Sequence, residues 1–116
     1  MKINKIIIAE PSPIISSGLL KYLEDINQLN IVSIVDNIDD LKDKMIIHNP
    51  DMLIINPLVL GYSNHSLIKQ FIQNNPSTYF IALISTYIDK SFLKYFKEII
   101  ELNETKQKVV NKIINL

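Results

Sequence analysis

Few side chains in this sequence have the type and spacing that chemistry requires, and those few sit where apolar runs end. Glu10 follows KIIIA, Asn56 closes MLIIN, and Ser85 closes YFIALIS. A carboxylate can help to hold a cation and a hydroxyl can hydrogen-bond a ligand, whereas a carboxamide is not an oxygen nucleophile. The amide at position 56 therefore limits what this set of residues can do.

No other pattern supplies a catalytic or metal-binding site. His48 and His65 lack a metal-ligand spacing. Ser12, Ser16 and Ser17 are not surrounded by a G-x-S-x-G motif. The chain contains neither G-x-G-x-x-G nor G-x-x-x-x-G-K-[ST], and it has no cysteine. We therefore expect no enzymatic activity, no bound metal and no nucleotide cofactor.

Five short apolar runs rich in Ile and Val predict β-strands. They span residues 5–9, 30–35, 52–56, 79–85 and, less clearly, 98–102. Hydrophobicity that is continuous rather than alternating is typical of strands covered on both faces, as in a parallel sheet. We therefore expect five buried strands.

Longer stretches with helical spacing follow each run. Ser12 is the predicted N-cap of the first helix, with Pro13 at its first position; Asn37 caps the second, and Pro50 stops it. The remaining helices are predicted over NHSLIKQFIQNNP, DKSFLKYF and NETKQKVVNKIINL. This fivefold alternation predicts an α/β protein with a flavodoxin-like (βα)5 doubly wound parallel sheet in the strand order 2-1-3-4-5. Function is expected at the carboxyl ends of the strands.

Composition points to one globular domain over residues 1–116. The chain is 47% hydrophobic and 21% charged, and its 12 basic and 12 acidic residues give a net charge of zero, so a polyanionic partner such as DNA is not favoured. The start MKINKIIIAEPSP lacks a long apolar signal region, and no segment has the apolar length of a membrane span. We expect a cytoplasmic protein that does not enter a membrane.

KIIIAEPSP, PDMLIINPLVLG and YFIALIST together resemble the receiver domain of two-component response regulators, especially the NarL/LuxR class of transcription factors. The resemblance covers essentially the whole chain. In that family the first strand ends in an acidic pair that holds Mg²⁺, the third in the phosphoacceptor Asp, the fourth in Ser or Thr, and the fifth in Lys. The resemblance aligns these positions with Glu10 and Pro11, Asn56, Ser85 and Asn103, and it aligns Ile100 with the switch aromatic.

Carried over to this chain, the resemblance implies a degenerate pseudo-receiver. A carboxamide cannot form an acyl phosphate, and Glu10 alone is a poor Mg²⁺ site, so neither phosphotransfer nor Mg²⁺ binding is expected. Asp51 and Asp36 lie at the wrong end of a strand and beside the wrong loop to replace the acceptor. The interval after Ser85 is short, which predicts an abbreviated fourth helix or following loop, and a shifted loop would bring Lys106 towards the pocket.

The resemblance implies a non-catalytic, phosphorylation-independent regulatory domain of a response regulator, acting by dimerisation or by contact with another protein. Receivers often pair through helix four, strand five and helix five. The matching candidates here are Phe92, Tyr95, Phe96, Val109, Ile113 and Ile114. DNA would be reached only through a helix-turn-helix domain following Leu116 in the parent protein. The alternative is a small-molecule-binding module that uses the neutral pocket of Glu10, Asn56, Ser85 and Asn103.

Overall fold

Five parallel strands form one sheet in this computed structural model, which describes residues 4–61, 65–84 and 90–116. The strands are β1 (Lys5–Ala9), β2 (Asn30–Val35), β3 (Met52–Ile55), β4 (Tyr79–Ile84) and β5 (Glu98–Glu101). Their spatial order is β2-β1-β3-β4-β5, and every neighbouring pair is parallel. The predicted strands and the flavodoxin-like order 2-1-3-4-5 are confirmed.

In the described ranges, four α-helices accompany the sheet: α1 (Pro13–Leu23), α2 (Ile38–His48), α3 (His65–Gln73) and α4 (Lys106–Ile114). The predicted caps are confirmed. Ser12 Oγ accepts from the backbone N–H of Ile15, with Pro13 at the first helical position, and Asn37 Oδ1 accepts from the N–H of Asp40. Asn49 ends α2 in the left-handed conformation, immediately before Pro50. Local capping chemistry thus sets where these helices begin and end.

The sheet is buried on both faces because alternate strand residues point into two separate cores. Ile6 and Ile8 of β1 pack with α1 and α4, whereas Ile7 and Ala9 pack on the opposite face with α2 and α3. Every residue of β3 is buried. Coverage on both faces explains why the strands are continuously hydrophobic.

The predicted fourth helix over DKSFLKYF is wrong in type, because residues Lys90–Tyr95 form a 3₁₀ helix. Phe92 and Phe96 are nevertheless buried against the α2 and α3 side of the sheet, and Lys97 N donates to Phe80 O at 2.8 Å. The β4–β5 connection spans only residues 85–97, close to the roughly dozen residues that a parallel crossover needs. The predicted abbreviation of this region is therefore confirmed.

Asp51 fastens the amino end of the sheet. Its Oδ2 accepts the backbone N–H groups of Asn4 and Lys5, each at 2.9 Å, and so joins the start of β1 to the start of β3. Asp51 therefore lies at the edge opposite the expected functional site, as predicted. Among the helices of the described residues, none is long and apolar enough to cross a membrane.

Candidate functional site

Glu10 and Asn56 meet at the carboxyl edge of the sheet because β1 and β3 are neighbours in register. Ala9 pairs with Ile55, so the residues that follow them emerge side by side. Asn56 Nδ2 donates a hydrogen bond of 3.0 Å to Glu10 Oε1, and both residues are only 2% exposed. The strand topology alone therefore brings these two predicted residues together.

The Glu10 carboxylate is held by neutral donors. Its Oε2 accepts from the backbone N–H of Ser12 at 2.7 Å, while its Oε1 accepts from Asn56. In the part of the chain that the structure describes, no cationic side chain pairs with Glu10. A buried charge is costly unless hydrogen-bonded, so these two contacts are what make the position tolerable.

The orientation of the Asn56 amide follows from its partners. Asn56 Oδ1 accepts from the backbone N–H of Leu58 at 3.0 Å and caps the 3₁₀ helix Pro57–Leu60. The carboxylate of Glu10 can only accept, so the NH₂ group must face it. An aspartate at position 56 could still cap the 3₁₀ helix, but it would place a second acceptor against Glu10. The amide is thus the side chain that suits both neighbours.

The Glu10–Asn56 pair offers few of the ligands that Mg²⁺ prefers. The ion requires near-octahedral oxygen ligands and is usually held by one or two carboxylates together with waters. Glu10 is the single carboxylate of the pair, and its Oε1 already accepts a hydrogen bond from the Asn56 NH₂ group. Among the described residues, no cluster of three or more His, Asp or Glu side chains has a metal-binding arrangement.

An open cleft of about 340 Å³ lies beside Glu10, between the β1–α1 and β2–α2 turns. It is lined by Glu10, Pro13, Ser16, Ile34, Val35, Asp36 and Asp40. Asn37 Nδ2 donates to Asp36 Oδ1 at 2.7 Å and to Asp40 Oδ2 at 2.9 Å, so these carboxylates belong to the cap of α2. The cleft is acidic, and its charged groups already have local bonding roles.

No family model matches the sequence, and no curated protein matches it. Solved structures do match it. The isolated receiver domain of RcsB from Salmonella enterica serovar Typhimurium, solved with the phosphomimetic BeF₃⁻, is similar with a TM-score of 0.81 and 21% identity, over 98% of this chain and 87% of that one. The receiver domain of NarL from Mycobacterium tuberculosis is similar with a TM-score of 0.78 and 13% identity, over 98% and 94% of the two chains.

The chain has the receiver fold of response regulators. A longer RcsB chain from the same Salmonella serovar, solved on promoter DNA, also matches, with a TM-score of 0.81 and 21% identity; the match covers 98% of this chain and 67% of that one. Identities this low establish the shared fold, and the roles of individual residues rest on the site itself.

The other positions aligned with the receiver site are dispersed. Pro11 is exposed and has no side-chain oxygen to offer. Ser85 lies outside the described residues. Asn103 is exposed in the turn after β5, and Ile100 is buried at 2% exposure. Among the described members of the predicted pocket, Glu10 and Asn56 are the two that bond one another.

Lys106 does not take the place of the receiver lysine. Its Nζ lies 3.4 Å from Asp25 Oδ2, on the surface beyond the end of α1, so the shifted-loop alternative is wrong. Lys112, which the sequence reasoning missed, instead bonds Ile99 O at 2.6 Å and Glu104 Oε1 at 2.5 Å. Glu104 precedes α4 and Lys112 lies within it, eight residues later, a spacing that no local sequence pattern singles out.

The predicted interaction face needs correction. Phe92, Phe96, Val109 and Ile113 are buried in the two cores, so they are not available to a partner. Tyr95 is half-buried, and Ile114 is about half exposed. The 3₁₀ helix and the nine-residue α4 are short, so most of their apolar side chains are used to cover the sheet.

His65 belongs to a second polar cluster that sequence reasoning missed. It is the first residue of α3, and its ring stacks on Phe92 with centroids 4.1 Å apart. Its Nε2 lies 3.1 Å from Ser91 Oγ and its Nδ1 lies 3.4 Å from Tyr95 Oη. The cluster ties the Lys90–Tyr95 3₁₀ helix to α3, which is a structural role.

Proposed function

We propose that this chain is a receiver-type regulatory domain that works through protein–protein contacts, without phosphoryl transfer and without Mg²⁺. The observation that supports this most directly is the buried bond from Asn56 Nδ2 to Glu10 Oε1. It fills the location where a receiver would hold its acceptor carboxylate and metal. The receiver fold supplies the regulatory context.

The chemistry of the pair supports the proposal in two ways. A carboxamide cannot attack a phosphoryl donor to form an acyl phosphate. The Glu10 carboxylate also has both oxygens hydrogen-bonded to neutral donors, so its burial does not depend on a bound cation. Two neutral donors thus bond the carboxylate that the resemblance assigns to metal binding. The site therefore differs from a receiver site at more than the phosphoacceptor position.

The proposed setting is cytoplasmic, with a second copy or another regulatory protein as the partner. RcsB has been solved as dimers bound to DNA. For this chain, whose net charge is zero, contact with DNA is proposed only through a separate domain of a parent protein.

Incubation with acetyl phosphate and Mg²⁺, followed by intact-mass measurement, tests the proposal. The native chain should show no phosphoryl adduct. The double variant Asn56→Asp with Pro11→Asp restores the acceptor and the second carboxylate, and it should be labelled. The Asn37→Asp variant, which adds a carboxylate at an exposed cap elsewhere, should not be. A stable adduct on the native chain would overturn the proposal.

A second candidate function is binding of a small molecule in the acidic cleft that adjoins the predicted pocket and shares only Glu10 with it. The cleft of about 340 Å³ beside Glu10 is the observation in its favour. Native mass spectrometry of the purified chain would detect a co-purified ligand, and such a ligand should raise the melting temperature. If the mass is that of the bare chain, and metabolite mixtures do not shift the melting temperature, this candidate is excluded.

A further inference from the structure

A groove between α1 and the turn after β5 combines an apolar lining with acidic side chains. Its volume is about 220 Å³. Leu19, Ile100 and Val109 line it, and all three belong to the core on the α1 and α4 face of the sheet. Glu101, the last residue of β5, and Glu104, shortly before α4, also line it. An apolar depression and two carboxylates thus lie on one small surface.

The charged residues that line this groove are both acidic, and among its described lining residues there is no cation. Glu101 is exposed, and within the described part of the chain its carboxylate has no ion pair or hydrogen bond. Glu104 Oε1 is bonded to Lys112, whereas its Oε2 is buried without a hydrogen-bond partner among the described residues. A buried acceptor without a donor is rare in native proteins. The groove therefore favours an occupant that is cationic and donates hydrogen bonds.

Gly18 lines the groove and leaves it open on the α1 side. It lies in the middle of α1, where glycine destabilises a helix relative to alanine. A Cβ built on Gly18 would meet no atom within 4 Å, and the residue has no positive φ that would require glycine. Packing against the described residues and backbone conformation thus do not account for it. A ligand would, because a larger side chain at position 18 would occupy the space of the ligand.

We propose that this groove binds a small organic amine, with its apolar tail against Leu19, Ile100 and Val109 and its ammonium group beside Glu101 and Glu104. The groove is smaller than the roughly 300–1,000 Å³ of pockets for drug-sized ligands, so the ligand is small. The tail is removed from water, and the ammonium group supplies donors to the carboxylate oxygens. The inference does not rest on the proposed function, because neither a phosphoryl group nor a metal takes part in it.

Two other cavities lack this combination of features. In the cleft beside Glu10, the carboxylates of Glu10, Asp36 and Asp40 already accept hydrogen bonds from neighbouring groups. A groove of about 270 Å³ between α2 and α3 is lined by Lys42 and, among the described residues, by no carboxylate. An amine should therefore prefer the groove beside α1 to either of them.

Titration of the native chain with n-hexylamine, followed by the backbone amide signals in NMR spectra, tests the inference. The amine is protonated at neutral pH, whereas n-hexanol and hexanoate carry a neutral and a negative group on a similar tail. Hexylamine should shift the signals of Gly18, Ile100 and Glu104 with a Kd on the order of 1 mM. Hexanol should bind about threefold more weakly, and hexanoate more weakly still.

The contribution of the carboxylates is tested by Glu101→Gln, which leaves the bond between Glu104 and Lys112 in place. This variant should bind hexylamine about two- to fivefold more weakly and hexanol like the native chain. Glu24→Gln is the matched control, because it removes the same charge at the end of α1 but outside the groove lining. It should bind hexylamine like the native chain. Equal weakening in the two variants would overturn the site, because only net charge would then matter.

The location of the ligand is tested by filling the groove. Gly18→Leu should abolish the hexylamine shifts, while the melting temperature without ligand should not fall, because leucine favours the helix. Gly18→Ala also favours the helix but adds only a methyl group, so it should retain more of the binding. Unchanged hexylamine binding by a folded Gly18→Leu variant would overturn the inference. If leucine prevents folding, the comparison of Glu101→Gln with Glu24→Gln decides.

Three results on the native chain would also overturn the inference. They are an absence of shifts with hexylamine up to about 50 mM, equal affinities for hexylamine and hexanol, and shifts centred on the cleft beside Glu10 or on the α2–α3 groove. None of them bears on phosphorylation. A phosphoryl adduct on the native chain would refute the proposed function without changing the titration, so the two failures are distinguishable.

Discussion

Two regions at the carboxyl edge of the sheet differ in burial and in hydrogen bonding. At β1 and β3, Glu10 and Asn56 are buried and bond each other, and the adjacent backbone N–H groups of Ser12 and Leu58 complete the set. At β5, the edge is open: Glu104 Oε2 is buried without a hydrogen-bond partner among the described residues, and Leu102 is half exposed beside a groove of about 220 Å³ between α1 and the turn after β5.

This difference separates two requirements that an ordinary receiver combines. A phosphorylated receiver needs a reactive pocket and a contact surface, and it couples one to the other. Here Glu10 and Asn56 close the pocket by bonding one another, while the surface between α1 and β5 contains an open groove.

The largest expected effect comes from introducing charge into the closed region. Asn56→Asp places two carboxylates together in a buried location, which should lower the free energy of unfolding by about 2–4 kcal/mol at neutral pH. Urea denaturation measures it. Asn37→Asp is the matched control, because the Asn37 amide also faces carboxylates, but at an exposed cap, where the loss should stay below about 1 kcal/mol. Equal losses in the two variants would show that burial of Glu10 is not the cause.

A smaller effect is expected where the open region is held together. Lys112→Met removes the cation that bonds Ile99 O and Glu104 Oε1, and it leaves a largely buried carboxylate without its partner. The unfolding free energy should fall by about 1–3 kcal/mol. Adding Glu104→Gln to Lys112→Met should recover part of this loss in a double-mutant cycle. Strictly additive losses would contradict a direct interaction.

The two glycines give effects of opposite sign. Gly18→Ala should stabilise the monomer by about 0.5–1 kcal/mol, because the added methyl group meets no atom and α1 gains helix propensity. Gly61, which follows the 3₁₀ helix next to Asn56, has a φ of 69°, so Gly61→Ala should destabilise by about 1 kcal/mol. Thermal melting of the two variants compares them directly. Stabilisation by both substitutions would break the contrast between a backbone-required glycine and an unrequired one.

The smallest effect concerns Lys21, an exposed residue of α1. The hydrogen bond to Glu24, followed by the charge of Glu24, raises the pKa of Lys21. A raised folded pKa means that the contribution of this pair is fully present at neutral pH and is lost as pH rises through the folded pKa. Because Lys21 is highly exposed, Glu24→Gln should not measurably change the urea midpoint at neutral pH. A clear loss there would show that Lys21 is committed to the fold rather than available to a partner.

Much of the architecture could be predicted because its determinants are local. Continuous Ile and Val runs mark strands covered on both faces, and Ser12, Pro13 and Asn37 mark helix starts by their own capping chemistry. The nearness of Glu10 and Asn56 also followed, since residues that end neighbouring parallel strands emerge together. What did not follow was their direct bond, because the orientation of an amide depends on partners brought from another part of the chain.

The errors have a common physical origin. Phe92 and Phe96 have a spacing compatible with an α-helix, yet both are buried in a short connection in which Phe92 belongs to a 3₁₀ helix and Phe96 follows it. Val109 and Ile113 of α4 were candidates for contact with a partner, yet both side chains are buried in the core. Apolar periodicity predicts that a side chain will be buried. It does not report whether the covering atoms belong to the same chain.

The brevity of the β4–β5 connection also determines which length changes the chain can accept there. Thirteen residues, 85–97, must leave one strand, cross a face and enter the next strand in parallel, which is close to the minimum for such a path. Deletion of residues here would pull β5 out of register with β4. Insertion would cost little, because even doubling a loop adds only about 0.6 kcal/mol of closure entropy. This segment can therefore lengthen during evolution far more easily than it can shorten.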